Sequence, residues 1–226
     1  MGENLIDEKI KRQNKVQWVI FVTLAVIIGI YPLFYLLDAF RTQGFLSTKA
    51  IELRQSSWYM LVFYFHIASG GISLLVGWSQ FSAVFREKYL QTHRSLGKLY
   101  VISVLMSSLA GICIAVFATG GLISVVGFEG LAICWLLSNI KAYKAIREGR
   151  VQEHQDWMIR NYALTFAAVT LRIWLPISQA VLQMDFVYAY RTIAWICWVP
   201  NLIVAELIIA NKKIARNLIQ IAEQFS

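Results

Sequence analysis

Charge is scarce in this 226-residue chain: Asp, Glu, Lys and Arg together make 15%, against 58% hydrophobic residues. Soluble domains carry about a quarter of their residues charged. So apolar a composition excludes an ordinary water-exposed surface and makes lipid the solvent. Cysteine and proline are equally rare, at three each. Cys113, Cys134 and Cys197 fall singly in three different apolar stretches, without CxxC pairing or metal-ligand spacing, which leaves them as small packing residues. There is no GxSxG elbow, HExxH pair or phosphate loop, so hydrolase and transferase chemistry has no support, while a redox role stays open. Internal repeats are missing too, and with them the inverted halves of many transporters.

What is present is long apolar runs. A helix needs about 20 residues to cross a hydrocarbon core of roughly 30 Å. Six runs meet that length, at about 17–37, 58–81, 97–118, 121–143, 159–181 and 187–210. The alternating segments of a membrane β-barrel do not fit, since Phe21 to Leu37 and Leu99 to Phe117 are almost continuously apolar. The expected fold is all-α, an integral membrane bundle of six transmembrane helices. The first run is too long for a signal-peptide core and no small-residue cleavage site follows Leu37, so it is expected to remain as a span.

The net charge of +8 is distributed by loop. Lys9, Lys11, Arg12 and Lys15 precede the first span; Arg86, Lys88, Arg94 and Lys98 lie between the second and third. Lys141, Lys144, Arg147, Arg150 and Arg160 lie between the fourth and fifth, and Lys212, Lys213 and Arg216 follow the sixth. The alternate loops hold only Arg41, Lys49 and Arg54, with Arg191 at a helix end. The positive-inside rule then places both termini in the cytoplasm. Anionic lipid accounts for the basic excess and no nucleic-acid partner is needed.

The expected organisation is a basic cytoplasmic N-terminus (1–16), the six-helix domain (17–210) and a cytoplasmic tail (211–226). In the tail Ile214, Leu218, Ile221 and Phe225 recur at helical spacing opposite basic residues, the pattern of an interfacial amphipathic helix. The one sizeable external loop, 38–57, carries Ser47, placed to cap a short helix over Lys49 to Leu53. Trp18, Trp58, Trp78 and Trp157 near the span ends form an aromatic belt.

Ionisable residues at membrane depth are costly and are functional candidates. His66, Glu129 and Arg172 each lie about eight residues from an external span end, so a 1.5 Å rise per residue sets all three at roughly the same depth, about 12 Å below the outer interface. Glu129 and Arg172 are expected either to neutralise each other beside His66 or to form a proton or ligand site. Pro176 should free the Arg172 carbonyl and kink its helix. His66, Gly70, Ser73, Gly77 and Gln80 give span two one small, polar face, and Asn161, Thr165, Ala168 and Arg172 do so for span five.

A second polar group collects at the cytoplasmic boundary: Gln80, Arg86, His93, Arg94, Asn139, His154, Arg160 and Glu206. His93 and His154 precede two spans that enter from one side, the placement a bis-histidine haem requires, and Gly97 and Tyr100 continue the His93 face. Solvated caps are the alternative. Pro200 should kink span six and free the Ile196 carbonyl, with Asn201 at hand to satisfy it.

The stretches HIASGGISLLVGWSQF from His66, HRSLGKLY from His93, HQDWMIRNYALTFAAVTLRIWLP from His154 and CWVPNLIVAE from Cys197 resemble a bacterial predicted membrane-protein family, domain of unknown function 2306, over about residues 58–206. The resemblance implies a multi-span protein of the bacterial cytoplasmic membrane and carries no activity. The matching motif residues are His66, Gln80, His93, Arg94, His154, Arg160, Arg172 and Glu206.

The functional expectation is a multi-pass membrane protein that binds a small ligand such as quinone or haem b near the cytoplasmic face. In it His93 and His154 are iron or hydrogen-bond partners, Gln80, Arg94 and Arg160 contact oxygen groups, and Glu206 balances charge. One alternative is a proton-coupled small-solute carrier using His66, Glu129 and Arg172. Another is a scaffold for a further membrane protein. Beyond the lipid bilayer the sequence identifies no partner.

Overall fold

The computed structural model describes residues 2–36 and 45–224. Among these the regular structure is all helical, without strands. Six helical stretches are long and apolar enough to cross a membrane: Lys15–Tyr35, Ser57–Phe81, Leu90–Ala115, Leu122–Arg147, Val151–Val181 and Phe186–Leu218. These are spans one to six. The end of the bundle where span one begins is called the terminal side, and the opposite end the far side.

Spans three and five start earlier than apolarity alone suggests, at Leu90 and Val151 rather than at 97 and 159. Hydropathy stops at the first charged residues, but backbone hydrogen bonding does not, so His93 and His154 stand on the helices themselves. Spans two and six are capped at their starts by short polar side chains. Ser56 accepts from the Tyr59 amide at the head of span two, and Asp185 accepts from that of Val187 at the head of span six. Ser47 does not cap the short loop helix, which runs Ile51–Gln55 with Ala50 before it.

Spans two, three, four and five pack in sequence, and span one lies against span two. The centre is a cluster of buried rings and branched chains that includes Tyr100, Trp135, Tyr162, Ile193 and Trp198. Small residues bring the backbones together. A Cβ on Gly71 would lie 2.7 Å from the Gly29 carbonyl of span one, and one on Gly127 would lie 2.8 Å from the Ala194 carbonyl of span six. Such close backbone approach is the usual basis of helix association in lipid, where hydrophobicity no longer distinguishes inside from outside.

Span five is broken twice. A turn at Phe166 separates Val151–Thr165 from Ala167–Pro176, and beyond Pro176 the chain widens into a π-helical turn, Ile177–Val181. Span six is interrupted at Cys197–Trp198, just before Pro200. The carbonyl that recruits side chains there is that of Cys197, not Ile196: it accepts from Asn201 Nδ2 at 3.0 Å and from Thr170 Oγ1 at 2.5 Å. Past the break one helix runs unbroken from Val199 to Gln224, so the tail continues span six instead of forming a separate element. Ile214, Leu218 and Ile221 are exposed on it, and Phe225 lies outside the described residues.

At the far side Lys49 is buried, at 6% exposure, and its ammonium donates to the Phe117 carbonyl (2.7 Å) and to Thr119 Oγ1 (3.2 Å), fastening one far-side loop to the other. Burial lowers its pKa from 10.5 to about 8. Between those values the unfolded chain binds more protons than the folded one, so this lysine opposes folding below pH 8 and the opposition fades as pH rises toward 10.5. Thermal midpoints of wild type and Lys49→Met measured in detergent from pH 7 to 10.5 should therefore converge or cross upward for the wild type. A constant difference across that range would refute the assignment.

Candidate functional site

Two polar layers were expected, and the structure builds them very differently. On the far side His66 of span two meets span three. Its Nδ1 lies 2.8 Å from the Ser107 carbonyl, and Ser107 Oγ returns a hydrogen bond to the His66 carbonyl at 2.9 Å. A carbonyl only accepts, so Nδ1 carries the hydrogen and Nε2 keeps its lone pair. Gly111 makes room for the ring: a Cβ there would stand 3.2 Å from His66 Cε1.

Arg172 lies within electrostatic reach of His66, Tyr31 and Tyr35. Its Nη1 donates to the Ala168 carbonyl one turn back (2.8 Å), and its guanidinium stands over the Tyr31 ring at 4.6 Å. These contacts leave most of its five donors to other acceptors. Among the described residues no carboxylate pairs with it. Glu129, expected in the same layer, is half-buried with no charged neighbour in reach and no ion pair or hydrogen bond among the described residues. The structure thus brings His66 and Arg172 together and leaves Glu129 apart. Residue counting along each helix does not give the direction each side chain faces.

The terminal-side group is largely satisfied from within. Arg160 of span five grips Glu206 of span six through two parallel bonds of 2.5 and 2.8 Å, and its guanidinium also stacks over Trp157 at 4.6 Å. Lys141 lies over the same indole at 4.5 Å. His154 Nδ1 lies 2.8 Å from the Ala142 carbonyl, and Asn139 donates to the Val101 carbonyl at 3.0 Å. His93 is half-buried within electrostatic reach of His154, Arg86 and Arg94, and its Nδ1 is buried without a partner. Arg94 itself is exposed. The small face beside His93 is filled: a Cβ on Gly97 would stand 3.3 Å from Gln80 Oε1. Among the described residues no three His, Cys, Asp or Glu side chains gather as metal ligands.

Sequence reasoning missed the best-ordered polar group, which lies in the buried centre. Tyr100 Oη donates to Asn161 Oδ1 (2.6 Å) and pairs with Thr165 Oγ1 (2.8 Å). Trp135 Nε1 reaches the same threonine (2.9 Å), and Asn161 Nδ2 donates to Ser138 Oγ (2.8 Å) and the Trp135 carbonyl (3.0 Å). Asn161 and Thr165, four apart on one helix face, were the signal for it.

A family model described as Predicted membrane protein (DUF2306) matches residues 63–209 of the chain. No curated protein and no solved structure matches it.

Proposed function

From the premise that this chain belongs to the predicted membrane protein family DUF2306, we propose that it binds a small organic acid between spans one, two, three and five, with Arg172 holding the carboxylate and His66 taking the accompanying proton. The observation that carries this reading is the Arg172 guanidinium inside the bundle, with a carbonyl and an aromatic face beside it and no carboxylate partner among the described residues. Guanidinium keeps its charge in proteins, so it cannot escape the cost of the bilayer by neutralising. An anion supplies what its remaining donors lack.

His66 complements it. With Nδ1–H committed to Ser107, the free Nε2 is a proton acceptor, and its protonation beside Arg172 becomes favourable when an anion lies between the two cations. Acid would then enter as anion plus proton, the stoichiometry of a proton-linked carrier. The basic loops support cytoplasmic termini, and on that reading this layer lies toward the external half of the membrane. A quinone or haem b at the terminal side is less well supported, because Arg160 is occupied by Glu206 and the Gly97 face by Gln80.

The test is calorimetric titration of benzoate into the protein in lipid nanodiscs. Binding should be tighter at pH 5.5 than at pH 8, and Arg172→Gln should weaken it at least tenfold while the variant stays monodisperse. Equal affinity for Arg172→Gln and wild type, or no pH dependence, would sink the proposal.

A further inference from the structure

We infer that the far-side cavity between Leu46, Arg54, Met60 and Tyr64 is a second carboxylate site, an outer station for the same class of acid, with Arg54 taking the carboxylate and Tyr64 its second hydrogen bond. This rests on the organic-acid reading of the Arg172 layer.

The cavity measures about 370 Å³, within the size range of small-molecule sites. Among the described residues that line it, Arg54 and Tyr64 each carry a buried polar atom without a partner, Nε and Oη. Each such atom costs on the order of 1–3 kcal/mol when left unmade. Two of them on residues that line one cavity suit a ligand oxygen, because one carboxylate accepts from both a guanidinium and a phenol. The other described lining residues are Leu46 and Met60, whose apolar side chains suit a hydrocarbon or aromatic body. A monocarboxylate with an apolar body has both parts, whereas a divalent cation or a sugar has neither.

The cavity is also connected to Arg172. Tyr64 packs on Phe63 with ring centroids 5.8 Å apart, Phe63 on Tyr35 at 5.7 Å, and Tyr35 on Tyr31 at 5.6 Å. Tyr31 is the ring beneath the Arg172 guanidinium. A chain of ring contacts therefore links the outer cation to the inner one. The arrangement is two cationic stations in series, the outer without a histidine.

Benzoate is the probe, used on the full chain in nanodiscs with two readouts. Phenylglyoxal labelling of Arg54, followed by peptide mass spectrometry, should be suppressed several-fold by benzoate at pH 8 as well as at pH 5.5. In titrations Arg54→Gln and Tyr64→Phe should remove a pH-independent binding step that Arg172→Gln retains. If benzoate leaves Arg54 labelling unchanged and Arg54→Gln binds as wild type does, the outer site is wrong even where Arg172→Gln abolishes binding. The reverse pattern, protection of Arg54 with no effect of Arg172→Gln, upholds the outer site and refutes the inner one. Arg54→Lys, which keeps the charge and loses the fork, should restore part of the affinity; full loss in it alongside disturbed gel filtration would mark a folding role instead.

Discussion

Asn161→Leu is expected to lower the stability of the detergent-solubilised protein by about 2–4 kcal/mol, among the largest effects of any conservative-volume substitution in the bundle. Asn161 is fully buried and its amide makes three side-chain bonds, to Tyr100, Ser138 and the Trp135 carbonyl. A single interhelical hydrogen bond in lipid averages only about 0.6 kcal/mol, so three of them contribute roughly 2 kcal/mol. The remainder comes from what is stranded: leucine accepts and donates nothing, and the Tyr100 hydroxyl, Ser138 and a backbone carbonyl lose a partner in a place water does not reach. Dodecyl sulfate titration followed by tryptophan fluorescence measures the change. A loss under about 1 kcal/mol would show that Tyr100, Trp135 and Thr165 hold the junction of spans three, four and five without it.

Gly77→Ala should cost about 1–3 kcal/mol, although alanine is the better helix former. The new methyl would stand 2.7 Å from the Tyr100 ring and closer still to that of Tyr162. Neither ring is free to swing away. Tyr100 is pinned by Asn161 and Thr165, and Tyr162 by its bond to the Leu74 carbonyl at 3.2 Å. The contrast is Gly97→Ala, whose methyl meets only the flexible end of Gln80, and which should lie within about 0.5 kcal/mol of wild type. Unfolding curves of the two variants side by side decide the matter; equal midpoints would mean that the two helices separate at little cost.

The helical bundle was legible because lipid imposes one requirement on every span, an apolar run of a given length. The face of span two was legible for a similar reason: His66, Gly70, Ser73, Gly77 and Gln80 recur at three or four residues, and the structure sets them against neighbouring spans. What residue counting could not give is rotation between helices. Counting put Glu129 and Arg172 in one layer, yet their pairing depends on which way each helix is turned, and that is set by contacts such as Gly127 on Ala194. Breaks in the helices were foreseen at Pro176 and Pro200, but the interruption at Phe166 has no proline to announce it. Arg54 and Tyr64 carried no mark in the sequence, since their common cavity is made by the loop helix folding back over span two.

The unbroken helix from Val199 to Gln224 has a mechanical meaning. At 1.5 Å per residue the part beyond Ile209 is a rod of roughly 22 Å, rigidly joined to the lipid-embedded part of the same helix. Arg216 lies 3.7 Å from Asp156 at the foot of span five, so the rod is also tethered to its neighbour. Sideways force applied at its tip becomes a tilt of span six about the Cys197–Trp198 joint, as a tiller turns a rudder.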